Sequence, residues 1–348
     1  MRAVPEFMED LNERACSVLH AVIREYVATG DPVGSQQLAR TQFDVSSATL
    51  RNVMADLEAL GYLEKPHTSA GRVPTGRAYR FYVDTLMQLR QPPPRDRELI
   101  QRGIPSGAGL EESLQEASRV LHFLTRHACV VVSPRPSAGV FHRIEFVRLR
   151  DTRVLAILVG RDGQVLNKPL TLDVQMSEAE LARASNYLSE LLHEVPFEAL
   201  RDRIEAELAQ EQALYDELQA RALRLGYLAT DLHSTDRVHI EGTGSFLEAP
   251  EFADVERMRA LFRALDEKGK LLALLDRVQQ AGAMQIFIGN ESEFSSAGDV
   301  TVVASPYGTE DRPLGTVGVI GPTRMNYSRV IPLVQFTAQT LRSVLEQG

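Results

Sequence analysis

Apolar residues recur at four- and three-residue steps through Leu11, Ala15, Val18, Val22 and Tyr26, which predicts an amphipathic helix over Leu11 to Ala28. Thr29-Gly30-Asp31-Pro32 stops it. Ser35 is placed to cap a short second helix through Arg40, with Leu38 and Ala39 turned inward. After a turn at Thr41–Asp44, Ser46 or Ser47 caps a third helix whose apolar stripe is Leu50, Val53, Leu57 and Leu60. That stripe leaves Ser47, Arg51 and Asn52 outward near the helix start. Gly61 ends the helix, and Tyr62-Leu63-Glu64 reads as a strand. Two short helices joined by a tight turn and followed by a hairpin make a winged helix-turn-helix.

Gln91-Pro92-Pro93-Pro94-Arg95 cannot continue a helix and reads as a linker or helix stop. Beyond it, Leu114, Ala117, Leu121 and Leu124 mark a helix from Leu110 to His127. Strand-like runs follow at Cys129–Val132, Ile144–Leu149 and Arg153–Val159, with turns at Asp151-Thr152 and Arg161-Asp162-Gly163. Ser177-Glu178-Ala179-Glu180 matches a capping box, and helical periodicity then runs to Tyr227 with a break at Pro196. A glycine-bearing strand-like piece spans His239 to Phe246, and helix returns from Phe252 to Gln280. Strands resume at Met284–Ile288, Asp299–Ala304 and Thr316–Ile320, and a helix from Tyr327 to Leu345 closes the chain. A sheet split in sequence by a helical block predicts an α+β domain carrying an insertion. Three consecutive domains, each with its own sheet, are the alternative, disfavoured because neither strand group looks large enough alone.

Length and composition agree with a multidomain globular protein. The chain has 348 residues, of which 44% are hydrophobic and 24% charged. No apolar run approaches the roughly 20 residues of a membrane-spanning helix, and the acidic turn of MRAVPEFMED is unlike a secretory signal. A cytoplasmic location without membrane attachment is expected. Cys16 and Cys129 are too few for a disulfide framework or a cysteine-built zinc site. The net charge is −9, which repels phosphate at long range. Yet Lys65 to Val83 holds Lys65, Arg72, Arg77 and Arg80 and no acidic residue, so a local patch can still bind nucleic acid.

The third helix suits a major groove about 12 Å wide, where Arg51 can pair with guanine and Asn52 with adenine. Ser46, Ser47 and Thr49 at its start suit phosphate oxygens. The loop Lys65-Pro66-His67-Thr68-Ser69-Ala70-Gly71-Arg72 offers small residues for close approach, with Lys65, His67, Thr68, Ser69 and Arg72 toward the backbone. Arg77 and Arg80 are candidates on the same patch, with packing of their stems or pairing to Asp84 as the competing role. Tyr79, Phe81 and Tyr82 could stack on bases, but their spacing fits core packing better. His122, His127 and Cys129 lack a second ligand cluster and read as structural. Asp231, His233, Asp236 and His239 read as a solvated loop rather than a cation site. Gly315 to Gly321 matches no nucleotide-binding motif and reads as a turn-strand-turn whose glycines allow close packing. No catalytic constellation, metal or cofactor is expected.

The runs Val45-Ser46-Ser47-Ala48-Thr49-Leu50-Arg51-Asn52, Asp56-Leu57-Glu58, Gly61 to Thr75 and Tyr79 to Asp84 together resemble the bacterial HrcA family of heat-inducible transcription repressors. Gly318-Val319-Ile320-Gly321-Pro322-Thr323-Arg324-Met325-Asn326-Tyr327-Ser328-Arg329-Val330 resembles that family's C-terminal signature. Val53 and Gly76-Arg77-Ala78 depart from the pattern. The resemblance implies a homodimer on double-stranded DNA, at an inverted-repeat operator (the CIRCE element) upstream of chaperone genes, modulated by a GroE-type chaperonin. It also implies three parts: a winged helix domain, a GAF-like domain and an inserted dimerisation domain. Laid on the predicted elements, these are a winged helix DNA-binding domain at 1–90, a linker at 91–105, a GAF-like domain at 106–190 and 275–348, and the insertion at 191–274. A regulator sensing a small ligand through the GAF-like domain is the second reading, and an enzyme with an appended winged helix the third.

Overall fold

The computed structural model describes residues 11–347 apart from 42, 44, 68–70, 87–90, 106–108, 135–139, 162, 164, 212–216, 231–236, 297–299 and 309–312. Helix α1 (Glu13–Thr29) starts at Asn12, whose side chain accepts the Ala15 N–H at 2.9 Å. It ends at Gly30, left-handed at φ 78°, which donates its N–H to the Tyr26 carbonyl. Helices α2 (Ser35–Thr41) and α3 (Ser47–Ala59) follow, then strands β1 (Leu63–Glu64) and β2 (Val73–Pro74), paired antiparallel, and α4 (Gly76–Leu86). Val33 and Arg72 exchange two backbone hydrogen bonds of 2.9 Å, which ties the base of the hairpin to the connection between α1 and α2. The inward side of α3 is Leu50, Met54 and Leu57. Leu60, expected on that stripe, is the C-cap and 40% exposed, because the helical turn that would carry it inward has already ended.

The proline-rich segment expected as a linker instead opens a helix, α5 (Pro94–Gly103). A proline in the first helical turn gives up an N–H that has no intrahelical partner anyway, so the residue type that interrupts a helix is well placed to start one. Ile100 and Ile104 of this segment are buried, and Asp96 pairs with Arg329 at 3.3 Å. Helix α6 (Leu110–Thr125) leads into β3 (Ala128–Val132), buried along its whole length.

Two compact units emerge. Pro134–Ser234 forms one, and Met1–Ser133 with Thr235–Gly348 forms the other. In the first of these, β4 (Phe141–Arg150), β5 (Arg153–Gly160) and β6 (Val165–Thr171) make an antiparallel meander, followed by α7 (Glu178–Leu191), α8 (Leu200–Glu211) and α9 (Glu217–Ala229). The Ser177–Glu180 capping box begins α7. Ile144, Val154, Ala156 and Leu158 pack from the sheet onto Leu181, Leu188, Ile204 and Leu223 of the helices. Ser185 and Ser189 of α7 accept the Phe146 and Ile144 N–H groups at 3.0 Å, satisfying the free edge of β4. The other face of the sheet carries Val147, Leu149 and Val165, each 44–52% exposed, around half-buried Leu155, Ile157 and Val159.

The larger unit resumes with β7 (Val238–Glu241), α10 (Ser245–Glu248), α11 (Val255–Asp266), α12 (Lys268–Ala281), β8 (Gln285–Ile288), α13 (Glu293–Ser296), β9 (Val300–Gly308), β10 (Pro313–Pro322) and α14 (Tyr327–Gln347). Its sheet has the order β7-β3-β10-β9-β8, antiparallel at every pairing. Side chains alternate between two cores, as a strand period of two requires. Cys129, Val131, Val303, Val317 and Val319 face the core shared with α6 and α14, while Val130, Val132, Val302, Ala304 and Ile320 face that of α11 and α12.

The α+β character and the interrupted sheet are as expected, but the interruption lies elsewhere than 191–274. Among the described residues the strands at 141–171 form a sheet of their own and fall within Pro134–Ser234, while the helices at 255–281 cover the five-stranded sheet. Hydrophobic periodicity identifies strands without saying which of them pair. Gly315 to Gly321 lies wholly inside β10 rather than in a turn-strand-turn. A Cβ on Gly318 would sit 2.7 Å from the Val303 carbonyl oxygen, so the glycine is there for close approach.

Candidate nucleic-acid interface

Helix α3 is held at its start by Ser46, whose hydroxyl accepts the Thr49 N–H at 3.1 Å and lies 2.8 Å from the Thr49 hydroxyl. These two side chains therefore serve the first turn of the helix, with Ser47 half-buried beside them. One turn on, Arg51 and Asn52 are both exposed. Lys65 and His67, at the start of the hairpin loop, are exposed as well, while Thr68 and Ser69 lie outside the described residues. Arg51, Lys65 and Arg72 share the walls of one cleft of about 390 Å³ with Ser35 and Gln36 at the start of α2. Three cations converging on a notch between a helix and a hairpin form a seat for an anion.

Arg72, although it lines the cleft, and Arg77 and Arg80 are turned toward the protein. Arg72 is only 14% exposed and meets Glu58 of α3 at 2.7 Å, with Lys65 3.7 Å from the same carboxylate. Arg77 donates to the Leu60 carbonyl at 2.8 Å and stacks over the Tyr62 ring at 4.6 Å, anchoring α4 to the connection between α3 and β1. Arg80 grips both oxygens of Glu291 at 3.1 Å, donates to the Ile286 carbonyl at 2.7 Å and reaches Asp84 at 3.4 Å. This guanidinium thus joins α4 to the end of β8. A second joint lies at the other end of the N-terminal module. Arg324, after β10, pairs with Glu251 and donates to the Tyr26 and Val27 carbonyls at 3.5 and 3.4 Å, where the negative end of the α1 dipole favours a cation.

Between these joints the core is continuous. Tyr79 and Tyr327 rings lie 5.8 Å apart, and Tyr79, Tyr82 and Val83 belong to the same buried cluster as Val330, Ile331 and Val334. Tyr79, Phe81 and Tyr82 are therefore packing residues, and burial pushes the Tyr79 phenol well above its usual range. His122 bonds the His127 carbonyl at 2.7 Å, and burial, with the His122 charge, lowers the His127 imidazole to about 4. Cys129 is a core residue of β3, and His239 lies 3.1 Å from the Ser133 hydroxyl. Asp231, His233 and Asp236 lie outside the described residues.

Reading the sequence missed Glu58, Glu251, Glu291 and Arg324 as determinants of this surface and its mounting. Glu58 and Arg324 lie in motif runs singled out above, but Glu58 meets its partners only through the folded hairpin and Arg324 meets a partner remote in sequence, and spacing carries no sign of either.

Comparison with known proteins bears on the whole chain. The HrcA protein C terminal domain model matches residues 111–331. Heat-inducible transcription repressor HrcA of Anaeromyxobacter sp. (strain K) is 46% identical over 342 residues, covering 97% of each chain. That of Geobacter sulfurreducens is 46% identical over 341 residues, covering 97% of this chain and 99% of its own. That of Methylococcus capsulatus is 39% identical over 343 residues, covering 97% of each. A crystal structure of a hypothetical protein at 2.2 Å resolution shares the fold, with a TM-score of 0.64 at 22% identity over 96% of this chain and 98% of that one. The class is that of transcriptional repressors, not of enzymes. Within it, the chain belongs to the HrcA family, the heat-inducible transcription repressors. No helix among the described residues is long and apolar enough to cross a membrane.

Proposed function

We propose that residues 11–86 act as a winged helix-turn-helix, with α3 in the major groove and the β1–β2 hairpin as a wing against the sugar-phosphate backbone. The observation that carries this reading is the pairing of exposed Arg51 and Asn52 on α3 with the cationic cleft beside them. Arg51, Asn52, Lys65 and His67 make the direct contacts, helped by Ser47, and Ser46 and Thr49 hold the helix start. Arg72, Arg77 and Arg80 support the surface from behind. The operator is an inverted repeat of the CIRCE type ahead of chaperone genes, read in the cytoplasm by a homodimer, because two symmetric heads demand two symmetric half-sites. The apolar face around Leu149, Leu155 and Val165 supports dimerisation through Pro134–Ser234, and the five-stranded domain is the GAF-like part. A GroE-type chaperonin helps the repressor reach its active state, so that stress, by occupying the chaperonin, opens the genes.

Fluorescence anisotropy of the purified protein on an inverted-repeat duplex and on a scrambled duplex tests this, each at two salt concentrations, with and without chaperonin. Tight binding that prefers the intact repeat and improves with chaperonin is expected. Equal weak binding to both duplexes by folded protein would overturn the reading.

A further inference from the structure

Glu58 occupies an unusual position for an acid on a surface that meets phosphate. It lies on the same side of α3 as Ser47, Arg51 and Met54, at steps of four, three and four residues. Its two carboxylate oxygens divide between the loop's two cations, Oε2 at 2.7 Å from Arg72 and Oε1 at 3.7 Å from Lys65. Both of those cations line the cleft that Arg51 also enters.

We propose that Glu58 is a resident competitor for the phosphate seat, an internal carboxylate that holds the cleft's cations until DNA draws Lys65 away. The proposal rests on the DNA-binding reading above. The two partners differ in freedom. Arg72 is 14% exposed, and its backbone is pinned to Val33 by two hydrogen bonds, so it stays with Glu58 when DNA arrives. Lys65 is 41% exposed, on a long flexible stem and at the looser distance, so it is the cation that can exchange one anion for another. A phosphodiester entering the cleft gains Lys65 only by taking it from a carboxylate, and it then lies near that carboxylate's charge. Both effects weaken a contact that carries no base information. They act on every sequence alike and so keep the protein from settling on the large excess of DNA that is not operator.

Glu58→Gln tests this, since it removes the charge and retains a hydrogen-bond acceptor toward Arg72. Salt-dependent anisotropy on operator and scrambled duplexes is expected to show about three- to tenfold tighter binding to both at low salt, with a slope of log affinity against log salt steeper by about one. In a Lys65→Ala background the same change should gain much less, because the cation it releases is gone. Unchanged or weaker binding by folded Glu58→Gln, or an equal gain without Lys65, would overturn the proposal and leave Glu58 as a clamp on the hairpin. If Glu58→Gln does not fold, Glu58→Asp, with its shorter reach to Lys65, should shift affinity in the same direction by less, and no shift would count against the idea. Wild-type protein that ignores both duplexes would instead defeat the DNA-binding reading itself.

Discussion

Seven of the basic and polar groups nominated for DNA contact separate by what they already hold. Arg51, Asn52 and His67 are exposed, Lys65 is exposed but lies 3.7 Å from Glu58, and Arg72, Arg77 and Arg80 are committed to Glu58, the Leu60 carbonyl and Glu291. Arg51→Ala should therefore lose about 1–3 kcal/mol on the operator and far less on scrambled DNA, measured by anisotropy. Arg72→Ala should weaken both duplexes alike and also lower the melting temperature, since it strands Glu58 against the hairpin. His127 gives a pH signature of its own. Burial lowers its folded-state value to about 4, below the ordinary 6.5, so the folded chain resists the proton that the unfolded chain accepts. Its contribution is fully present above pH 6.5 and is lost as pH falls toward 4. His20, packed against Phe81 and Tyr82, shifts in the same direction for the same reason. Chemical denaturation across that range should show stability declining below pH 6.5, and His127→Gln should flatten the decline.

Helices with a clear stripe and a cap were legible in the sequence. The Ser177–Glu180 box of α7 read directly and the cap of α3 was narrowed to Ser46 or Ser47, of which the structure uses Ser46, because a cap is a local contact between residues three apart. What failed was non-local or depended on geometry past a helix end. Met54 replaces Leu60 on the inner side of α3, and Pro94 starts a helix where a linker was expected. Most strands were found, though β6 at Val165–Thr171 was not, and their partners were not legible, since β3 bonds to β10 and β7, both over a hundred residues away. In the candidate site, α3 and the hairpin were visible as patterns, while the ion pairs that select which arginines face outward were not. Strand β10 shows the same limit from the side of packing. Its glycines read as allowing close approach, and the structure supplies the neighbour, the Val303 carbonyl and Ala304 Cβ against Gly318. Gly318→Ala should cost about 1–3 kcal/mol by overpacking the central strand, read from a denaturant midpoint. An unchanged midpoint would mean that β9 shifts freely.

The N-terminal module is built into the larger unit rather than tethered to it. Arg80 and Arg324 join it at two places, and the Tyr79–Tyr327 contact lies within a buried cluster that runs from α1 to α14. Module and sheet should therefore unfold together. Arg324→Ala, which leaves Glu251 and the end of α1 without their cation, should cost about 1–3 kcal/mol. It should lower a single calorimetric transition by about 2–4 °C per kcal/mol in a unit of this size. A separate early transition for the N-terminal helices would contradict a shared core. The remaining unit stands in a different relation to the chain. Val132 and Val238 are directly paired neighbours, and Arg237 clasps the Ser133 carbonyl through two guanidinium nitrogens at 3.1 and 2.9 Å. The chain thus leaves for Pro134–Ser234 and returns from it at a single point, about one strand spacing apart. Topologically the excursion is an overgrown hairpin loop, one that a turn of a few residues could replace without disturbing a ladder on either side. A chain relieved of it would keep every pairing of the five-stranded sheet and all of α3, so the excursion is free to change without the rest of the larger unit.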